Sequence, residues 1–349
     1  MKIVKKIYDS FTIKRKPPIN IKAGDDIYFG GPSYEYTAPE SYIAYISNAI
    51  VTYQGVIIEN FKLVKDFIIC YDSDFKFYKN KYLLHTFYRY TRKDVSDENK
   101  YMLIFDNYSG PHGFSHWLSD GLTRLVEINA ILKDYTVLMP DYFAKEDIYI
   151  ETIKLFDIGK VQYINQGNYL KVKHLYVAKQ IADSGNFIPE NVFKLRKFIW
   201  DKLTITSGKG EGEFIYVSRA KAVRRFVINE DEVVKLLKEY GFVTVYLEDY
   251  DFARQVEIAY NAKVLISIHG AALTHIHFMQ SNSNVLEFRR ERDSVNGHFF
   301  SLAHALNVNY YYQSCEAINI SNAANNFDLM VDCNELKINL ENYMKLFKR

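Results

Sequence analysis

The sequence predicts an α/β protein of two domains, the second built on a parallel, doubly wound sheet. Two observations support this. Strand-length apolar runs alternate with amphipathic stretches of helix length between about residues 213 and 288. The chain has 349 residues, which fits two domains of roughly 150 to 200 residues better than one. The glycine-rich, charged stretch 207–212 has the composition of a linker between them.

The elements of the second half follow in regular order. Strands are predicted at Phe214–Val217, Val243–Leu247, Val264–Ile268 and Asn284–Phe288. Asn229 with Glu232 predicts the start of the first helix, and Gly241 predicts its end. Asp251 predicts the cap of the next helix. Because a helix separates each pair of strands, we expect the strands to run parallel.

The first half alternates less clearly. Residues 1 to 95 predict short strands and turns, with Gly30-Gly31-Pro32 as a break. After residue 100 the predicted elements are strand Tyr101–Phe105, helix His116–Leu132, strand Thr136–Met139, a helix near Asp147–Phe156 and strand Val161–Ile164. A last helix is predicted from about Glu335 to Phe347.

An anion site is predicted where the strand ending at Ile268 runs into a small-residue turn. Glycine and alanine leave the backbone open to a ligand, and the free N–H groups at a helix start favour negative charge. The residues expected to contact the anion are His269, Gly270, Ala271, Ala272, Leu273 and Thr274. The alternative is a tight turn in which glycine serves packing only.

A basic loop follows the strand that ends at Val217. It contains Ser218, Arg219, Arg224 and Arg225. Ligands of open α/β sheets bind outside the carboxyl ends of strands, so this loop and the His269 turn are expected on one edge. The arginine fork fits phosphate oxygens. Leu247 and Glu287 are predicted to end strands on the same edge, where Glu287 could accept both hydroxyls of a ribose. The alternatives are a solvated basic loop and an exposed strand-end acid.

These residues resemble the C-terminal signature of glycosyltransferase family 61. The resemblance rests on Ser218-Arg219, Arg224-Arg225, Asn229-Glu230, Gln255, His269–Thr274, Phe278-Met279 and Glu287. The upstream string Gly113–Asp120 is similar to the family's H-W-L-x-D motif, and the match covers roughly residues 100 to 290. The chain differs from the family's pattern at Ala272, where many members carry a second glycine, and at His275, where many carry asparagine.

The resemblance implies a GT-B fold: two Rossmann-like domains facing across a cleft, with a C-terminal helix returning to the N-terminal domain. We expect an acceptor-side domain at 1–205, a nucleotide-sugar domain at 213–325 and the returning helix at 326–349. The implied activity is inverting, metal-independent hexosyl or pentosyl transfer from a nucleotide sugar, most simply UDP-linked, without a further cofactor. The implied acceptor is a glycan or a lipid-linked glycan in capsule or other surface-polysaccharide synthesis. Two alternatives stay open: a GT-B-fold nucleotide-sugar epimerase, and a non-catalytic nucleotide-binding subunit of a polysaccharide assembly complex.

Catalysis is expected from the helix that carries His116. An inverting transfer needs a base for the acceptor's proton, and histidine has an ordinary pKa near 6.5. Asp120 lies one helical turn further, where it can hydrogen-bond the imidazole. Asp120 could itself be the base, or His116 could be structural, capping a helix beneath Trp117.

Two acidic triplets have the D-x-D form that holds a divalent cation in other glycosyltransferases. They are Asp72-Ser73-Asp74 and Asp249-Tyr250-Asp251. We interpret both as turns or helix caps, because aspartate is common at such places. His112 and His116 have the i, i+4 spacing of a zinc site, but the Pro111 and Gly113 beside His112 argue against a shared helix. No metal site is therefore predicted.

Composition indicates the compartment and the partners. The net charge of +2 argues against a nucleic-acid partner. The N-terminus lacks an apolar core of signal-peptide length, no stretch of about 18 apolar residues occurs, and three unevenly spaced cysteines suit a reducing compartment. These features predict a cytoplasmic protein. A lipid-linked acceptor would bring it to the inner membrane face, with Lys14-Arg15-Lys16 and Arg196-Lys197 as candidate contacts.

Overall fold

A computed structural model describes residues 1–29, 34–69, 74–110, 113–294, 297–319 and 327–347. The predicted break at Gly30-Gly31-Pro32 lies outside these residues, as do Cys70, Asp72, Ser73, Pro111 and His112. The chain divides into two compact units. The first comprises Met1–Thr12 and Thr37–Ser184, and the second comprises Ile13–Tyr36 and the chain from Gly185 onward.

Strands dominate the chain up to residue 178. They are β1 (Lys2–Tyr8), β2 (Phe11–Lys14), β3 (Glu35–Ala38), β4 (Ser41–Thr52), β5 (Ile57–Glu59), β6 (Lys62–Leu63), β7 (Thr91–Asp94), β8 (Tyr101–Leu103), β9 (Thr136–Pro140), β10 (Lys160–Ile164) and β11 (Asn168–Ala178). The helices of this stretch are α1 (Asp26–Phe29), α2 (Phe75–Tyr88), α3 (Phe114–His116), α4 (Thr123–Leu132) and α5 (Asp147–Ile153). β2 and β3 form a separate two-stranded sheet.

The sheet of the first unit is mixed. Its strand order is β10-β9-β8-β11-β4-β5-β6, with β1 beside β4 and β7 beside β11. β10, β9, β8 and β11 run parallel, whereas β4 runs antiparallel to β11. The strands and helices predicted between residues 101 and 164 are confirmed, with ends shifted by a few residues. These parallel strands form one side of the sheet, from β10 at its edge to β11, and helices α4 and α5 supply the crossovers from β8 to β9 and from β9 to β10.

Helix α2 was not predicted. Its sequence, FKFYKNKYLLHTFY, places aromatic residues on every side of the helix, so no single apolar stripe marks it. The buried Tyr82 and the partly buried Phe75 and Tyr78 pack against Val56 and Ile58. Tertiary packing therefore supports a helix where the local pattern suggested turns.

The second unit is built on a six-stranded sheet. Its strands are β12 (Phe214–Val217), β13 (Val243–Val245), β14 (Val264–Ile268), β15 (Asn284–Arg290), β16 (Asn309–Ile318) and β17 (Asp328–Met330). Its helices are α6 (Pro189–Leu203), α7 (Glu230–Glu239), α8 (Phe252–Asn261), α9 (His298–Ala305) and α10 (Cys333–Phe347). The order is β13-β12-β14-β15-β16-β17, and the first five strands are parallel. This confirms the predicted alternation and its parallel direction.

The order of these strands creates a topological switch point. From β12 the chain moves outward to β13, then returns to the other side of β12 to form β14. The connections that leave the carboxyl ends of β12 and β14 therefore diverge. Open α/β sheets bind ligands in the crevice that such a divergence leaves.

The three predicted helix-end signals all lie at helix ends in the structure. The side chain of Asp251 accepts a hydrogen bond from the Arg254 amide at 2.8 Å, which caps α8. Gly241 ends α7 with a φ of +84°, a conformation that glycine adopts without strain. Asn229 directly precedes α7, and its Nδ2 donates to Glu232 Oε2 at 3.3 Å. Its Oδ1 accepts from the Val331 amide rather than from the first turn of α7.

The structure divides the chain differently from the predicted domain limits. Helix α6 belongs to the second unit, where Arg196 donates hydrogen bonds to Met279 O at 2.6 Å and Ser281 Oγ at 2.9 Å. The predicted linker 207–212 therefore lies inside this unit. There Arg254 contacts Glu211 at 2.5 Å.

The last helix was predicted to return to the N-terminal domain, and the structure places it elsewhere. In α10, Leu336 and Leu340 belong to the core of the second unit, together with Val233 and Leu237 of α7. The apolar stripe of α10 thus completes its own unit.

Candidate functional site

The switch-point edge of the second unit brings the basic loop against the glycine turn. Arg219 follows β12, and Gly270 lies two residues after β14. A Cβ added at Gly270 would lie 3.0 Å from Arg219 Nη1 and 3.2 Å from its Cζ. The φ of Gly270 is 162°, an extended value open to any residue. Glycine here therefore leaves room for the guanidinium, which a Cβ would displace by a few tenths of an ångström.

Arg219 is held from two further sides. It is 9% exposed, and its guanidinium donates to the carbonyls of Arg224 at 3.1 Å and Arg225 at 3.4 Å. Burial is the main cause that lowers its pKa, the Arg224 charge adds to this, and the Glu248 carboxylate opposes it. The loop is therefore folded around the Arg219 guanidinium, which these hydrogen bonds hold in place.

Arg225 adds a second cation in a strained position. Its φ is +62°, which is costly for a residue with a side chain. Burial, with the charges of Arg219 and Arg224, lowers its pKa to about 10, so it stays charged at neutral pH. Its Nε is buried and has no hydrogen-bond partner among the described residues. Like charges held together around an unpaired donor favour an anionic ligand.

Ser218, which the sequence predicts in the anion site, contacts protein groups in the structure. Its hydroxyl donates to Glu230 Oε1 at 2.9 Å and accepts from the Ala220 amide at 3.1 Å. Tyr216 donates to the same Glu230 oxygen at 2.7 Å. Ser218 thus ties the loop to the start of α7, and it is 1% exposed. Arg224, by contrast, is exposed.

His269 is oriented by a buried carboxylate. Its Nδ1 lies 2.5 Å from Glu287 Oε1, and the other Glu287 oxygen accepts from Tyr310 OH at 2.6 Å. Glu287 is 0% exposed. The contact of Glu287 with ribose hydroxyls stays a prediction, but its predicted position at the strand end is wrong. β15 continues to Arg290, so Glu287 is not at the strand end but beside Ser267 of β14, where it positions His269.

The segment after Gly270 is a 3₁₀ helix, Ala271–Phe278, where the sequence predicted an ordinary helix start. The Leu273 amide bonds to the Gly270 carbonyl at 3.0 Å, an i to i+3 bond. The side chains of Leu273 and Thr274 are fully buried, and Ala272 is 9% exposed. A ligand at this turn would therefore meet backbone groups rather than these side chains.

Leu247 begins a short helical turn and lies beyond the end of β13. Its side chain is buried, and its carbonyl accepts from Gln255 Nε2 at 3.0 Å. Gln255 Oε1 in turn lies 2.8 Å from His275 Nε2. Burial lowers the pKa of His275 to about 4, so this imidazole is neutral. Gln255 and His275 thus connect the Leu247 loop to the glycine turn.

In the first unit, the predicted contact between His116 and Asp120 is present. His116 Nδ1 lies 2.9 Å from Asp120 Oδ2, and Ser184 donates to the same oxygen at 3.0 Å. The His116 side chain is 38% exposed and Asp120 is 4% exposed. Burial alone would lower the pKa of His116, but the hydrogen bond to Asp120 and the charges of Asp120 and Asp106 raise it above 6.5. With Nδ1 occupied, Nε2 is left for a substrate.

Asp120 lies in a π-helical turn, Trp117–Leu122, between α3 and α4. Such turns recur at functional sites. A Cβ at Gly121 would lie 2.4 Å from Trp117 Cε3, so the turn requires glycine for the indole to pack. Trp117 is buried, and its Nε1 donates to Thr152 Oγ1 at 2.8 Å.

Gly121→Ala is expected to lower the free energy of unfolding by about 1–3 kcal/mol, because the added methyl overlaps the Trp117 ring. Urea unfolding followed by circular dichroism measures this. Gly110→Ala is the matched control, since a Cβ there meets nothing within 4 Å. Equal stability of both variants would contradict the packing argument.

A buried ion pair that the sequence did not reveal supports this turn. Arg124 Nη2 lies 2.6 Å from Asp106 Oδ2, and Arg124 Nε donates to Asp120 O at 2.9 Å. Both partners are 3% exposed. They stand 18 residues apart, so no local spacing could have linked them. The pair fixes the loop after β8 against the residues that hold His116.

The acidic triplets are only partly described. Asp249 pairs with Lys221 at 2.5 Å, and Asp251 caps α8, as the sequence interpretation expected. Of the first triplet, Asp72 and Ser73 lie outside the described residues. Over the described residues, His, Cys, Asp and Glu form no group of three that could hold a metal ion.

Comparison with known proteins identifies the family. The family profile described as Glycosyltransferase 61 matches residues 114–286, a span that contains the His116 helix, Arg219 and the Gly270 turn. The chain contains a glycosyltransferase family 61 domain. Within this family 61 protein, the matched span therefore includes both groups of candidate site residues except Glu287, which directly follows it.

Named relatives of this family 61 protein match it over short segments. Protein O-linked-mannose beta-1,4-N-acetylglucosaminyltransferase 2 of Xenopus tropicalis is 35% identical over 94 residues, which is 26% of this chain and 16% of the relative. The Homo sapiens protein of that name is 33% identical over 111 residues, which is 31% of this chain and 18% of the relative. EGF domain-specific O-linked N-acetylglucosamine transferase of Gallus gallus is 34% identical over 68 residues, which is 18% of this chain and 13% of the relative. The matches thus span less than a fifth of these curated relatives.

Proposed function

We propose that this family 61 protein is an inverting, metal-independent glycosyltransferase that moves a sugar from a nucleotide-sugar donor to a glycan acceptor. The observation that carries the proposal is the contact of Arg219 with Gly270 at the switch point of a parallel sheet. This is where open α/β sheets bind nucleotides. Arg225, with its unpaired Nε, adds a second cation for the diphosphate.

The proposed reaction is a single displacement. The acceptor hydroxyl oxygen forms a bond to the anomeric carbon as the bond from that carbon to the diphosphate oxygen breaks. The hydroxyl proton passes to His116 Nε2, and Asp120 stabilises the imidazolium that results. The departing negative charge falls on the diphosphate, where Arg219, Arg224 and Arg225 stabilise it. The alternative assignment, with Asp120 as the base, stays open until variants are compared.

The names of the relatives suggest the donor sugar. Both names describe transfer of N-acetylglucosamine, and the name that the Xenopus tropicalis and Homo sapiens proteins share specifies a beta-1,4 linkage. A beta linkage formed from an alpha-linked nucleotide sugar requires inversion. We therefore propose a UDP-linked N-acetylhexosamine or hexose as donor, with no further cofactor.

The GT-B arrangement belongs to the proposal too. We assign donor binding to the second unit and acceptor binding to the first. The proposed acceptor is a glycan, free or lipid-linked, in surface-polysaccharide synthesis, and the proposed site of action is the cytoplasm.

Incubation of the full chain with a panel of nucleotide sugars tests this function. We expect one donor to be hydrolysed slowly without acceptor and consumed faster when a mixture of oligosaccharides is added. Mass spectrometry of the products identifies the sugar that was transferred. Interconversion of two nucleotide sugars without acceptor would identify an epimerase instead. Binding without turnover would favour a non-catalytic subunit.

The same assay in EDTA tests the metal assignment. Activity is expected to persist, because arginines and backbone N–H groups, rather than a cation, would meet the leaving-group charge. Loss of activity in EDTA with recovery in magnesium or manganese would contradict the proposal and direct attention to Asp72 and Asp74.

A further inference from the structure

Helix α2 of the first unit presents an apolar face to solvent. Phe77, Leu84 and Tyr88 are 65%, 56% and 83% exposed. Their spacing of seven and four residues places them on one side of the helix. The opposite side, with Phe75, Tyr78 and Tyr82, packs on the sheet. A helix that is apolar on both sides normally has a partner on each.

A neighbouring aromatic residue enlarges this face. Phe61, between β5 and β6, is 79% exposed and has a φ of +59°, so a strained backbone displays it. Its ring centroid lies 5.6 Å from that of Phe87, which is 37% exposed. We call Phe61, Phe77, Leu84, Phe87 and Tyr88 together the α2 surface. Exposed apolar side chains grouped in this way mark an interaction site.

The charges on α2 are all of one sign. Lys76, Lys79 and Lys81 are exposed, and the helix contains no aspartate or glutamate. Helix α7 provides the contrast within the chain, because its lysines share the helix with Glu230, Asp231, Glu232 and Glu239. Lysine stems can lie along apolar surface while their ammonium groups reach outward. The combination fits an apolar layer bordered by negative charge.

We propose that the α2 surface docks on a lipid bilayer with anionic headgroups. The aromatic and leucine side chains would enter the interface between headgroups and acyl chains, and the lysines would pair with phosphates. This surface differs from the basic stretches that the sequence offered for membrane contact. In those, Arg15 and Arg196 are 7% and 4% exposed and serve packing within the second unit.

The contact is peripheral. None of the described helices is long and apolar enough to span a bilayer. Each lysine near an anionic surface strengthens binding about fivefold at moderate salt. Binding should therefore be reversible and should weaken as salt rises.

Co-sedimentation of the full chain with vesicles tests the proposal. Vesicles of phosphatidylcholine alone are compared with vesicles that also contain phosphatidylglycerol, at low and high salt. We expect binding to the anionic vesicles at low salt and little to the neutral ones. Equal binding to both, or none to either, would overturn the proposal.

Matched variants distinguish binding through the α2 surface from nonspecific binding to vesicles. Leu84→Ser is expected to weaken vesicle binding about tenfold, and Ile338→Ser not at all, although the two side chains are 56% and 58% exposed. The double variant Lys76→Ala/Lys81→Ala should lose about 30-fold, and Lys235→Ala/Lys238→Ala on α7 almost nothing. Melting temperatures check that each variant is folded.

Equal effects within each matched pair would overturn the assignment to α2. Light scattering after size-exclusion chromatography measures the oligomeric state. It tests the alternative that the α2 surface binds a second copy of the chain. A dimer that Leu84→Ser converts to monomer would show that the surface serves self-association, which would also overturn the proposal. None of these measurements depends on glycosyl transfer.

Discussion

Replacing His116 with alanine is expected to lower kcat by about 10²- to 10⁴-fold and to leave nucleotide affinity unchanged. The proposed base is lost, while the arginines of the second unit are untouched. The His116 side chain is 38% exposed, so its removal leaves no large cavity. The measurement is the transfer rate at saturating donor, together with calorimetry of UDP binding. His174→Ala is the control, because His174 also hydrogen-bonds a side chain, Tyr45, at 2.9 Å in the same unit.

Asp120→Asn separates the two assignments of the base. If His116 is the base, the asparagine variant loses less activity than His116→Ala. If Asp120 is the base, the order reverses. A shared fall in melting temperature or in nucleotide affinity would show instead that the pair is structural.

The pH profile gives an independent readout of the same pair. The base must be unprotonated, so kcat/KM should fall as pH drops through the pKa of His116, which lies above 6.5. The Asp120 carboxylate stabilises the imidazolium, so Asp120→Asn lowers that pKa. The acid limb of the profile is therefore expected to move to lower pH.

Arg219→Ala and Arg225→Ala are each expected to weaken nucleoside diphosphate binding by about 1.5–3 kcal/mol, the usual size of a hydrogen bond to a charged group. This corresponds to a Kd about 10- to 150-fold higher. Both guanidiniums lie in the loop after β12, and Arg219 contacts the glycine turn. Calorimetry with UDP measures the change.

Two further variants sharpen the arginine experiment. Arg254→Ala is the control, because its guanidinium already pairs with Glu211 and Glu257. Gly270→Ala should weaken binding less than Arg219→Ala, since its Cβ would displace Arg219 Nη1 without removing the charge. Unchanged affinity in both arginine variants would show that the diphosphate does not bind at this edge of the sheet.

The fold of the second half could be predicted because its signals are local. β14 is a five-residue run with every side chain buried, and Gly241 and Asp251 mark helix ends by their own backbone and side chain. Helix α2 could not be predicted, because only its packing on Val56 and Ile58 distinguishes its inner side from its outer one.

The same distinction holds for the candidate site: contacts that follow from local spacing or from parallel strands could be predicted, and contacts between distant segments could not. The contact of His116 with Asp120 follows from a spacing of four residues on a helix. The approach of Arg219 to Gly270 follows from two parallel strands that end on one edge. Ser184 was missed because it lies 64 residues from Asp120, and its own neighbours in sequence carry no sign of that contact.

The sequence by itself determined the alternation of strands and helices, the edge on which the cations gather, and the His116–Asp120 pair. Each depends on residues close in the chain or on the common direction of parallel strands. The tertiary structure decided the role of Glu287, the unit that α10 completes, and the exposure of α2. These depend on which side chains from distant segments share a buried space. A carboxylate at a strand end can meet solvent, a ligand or a histidine, and only the packing around Glu287 selects the histidine.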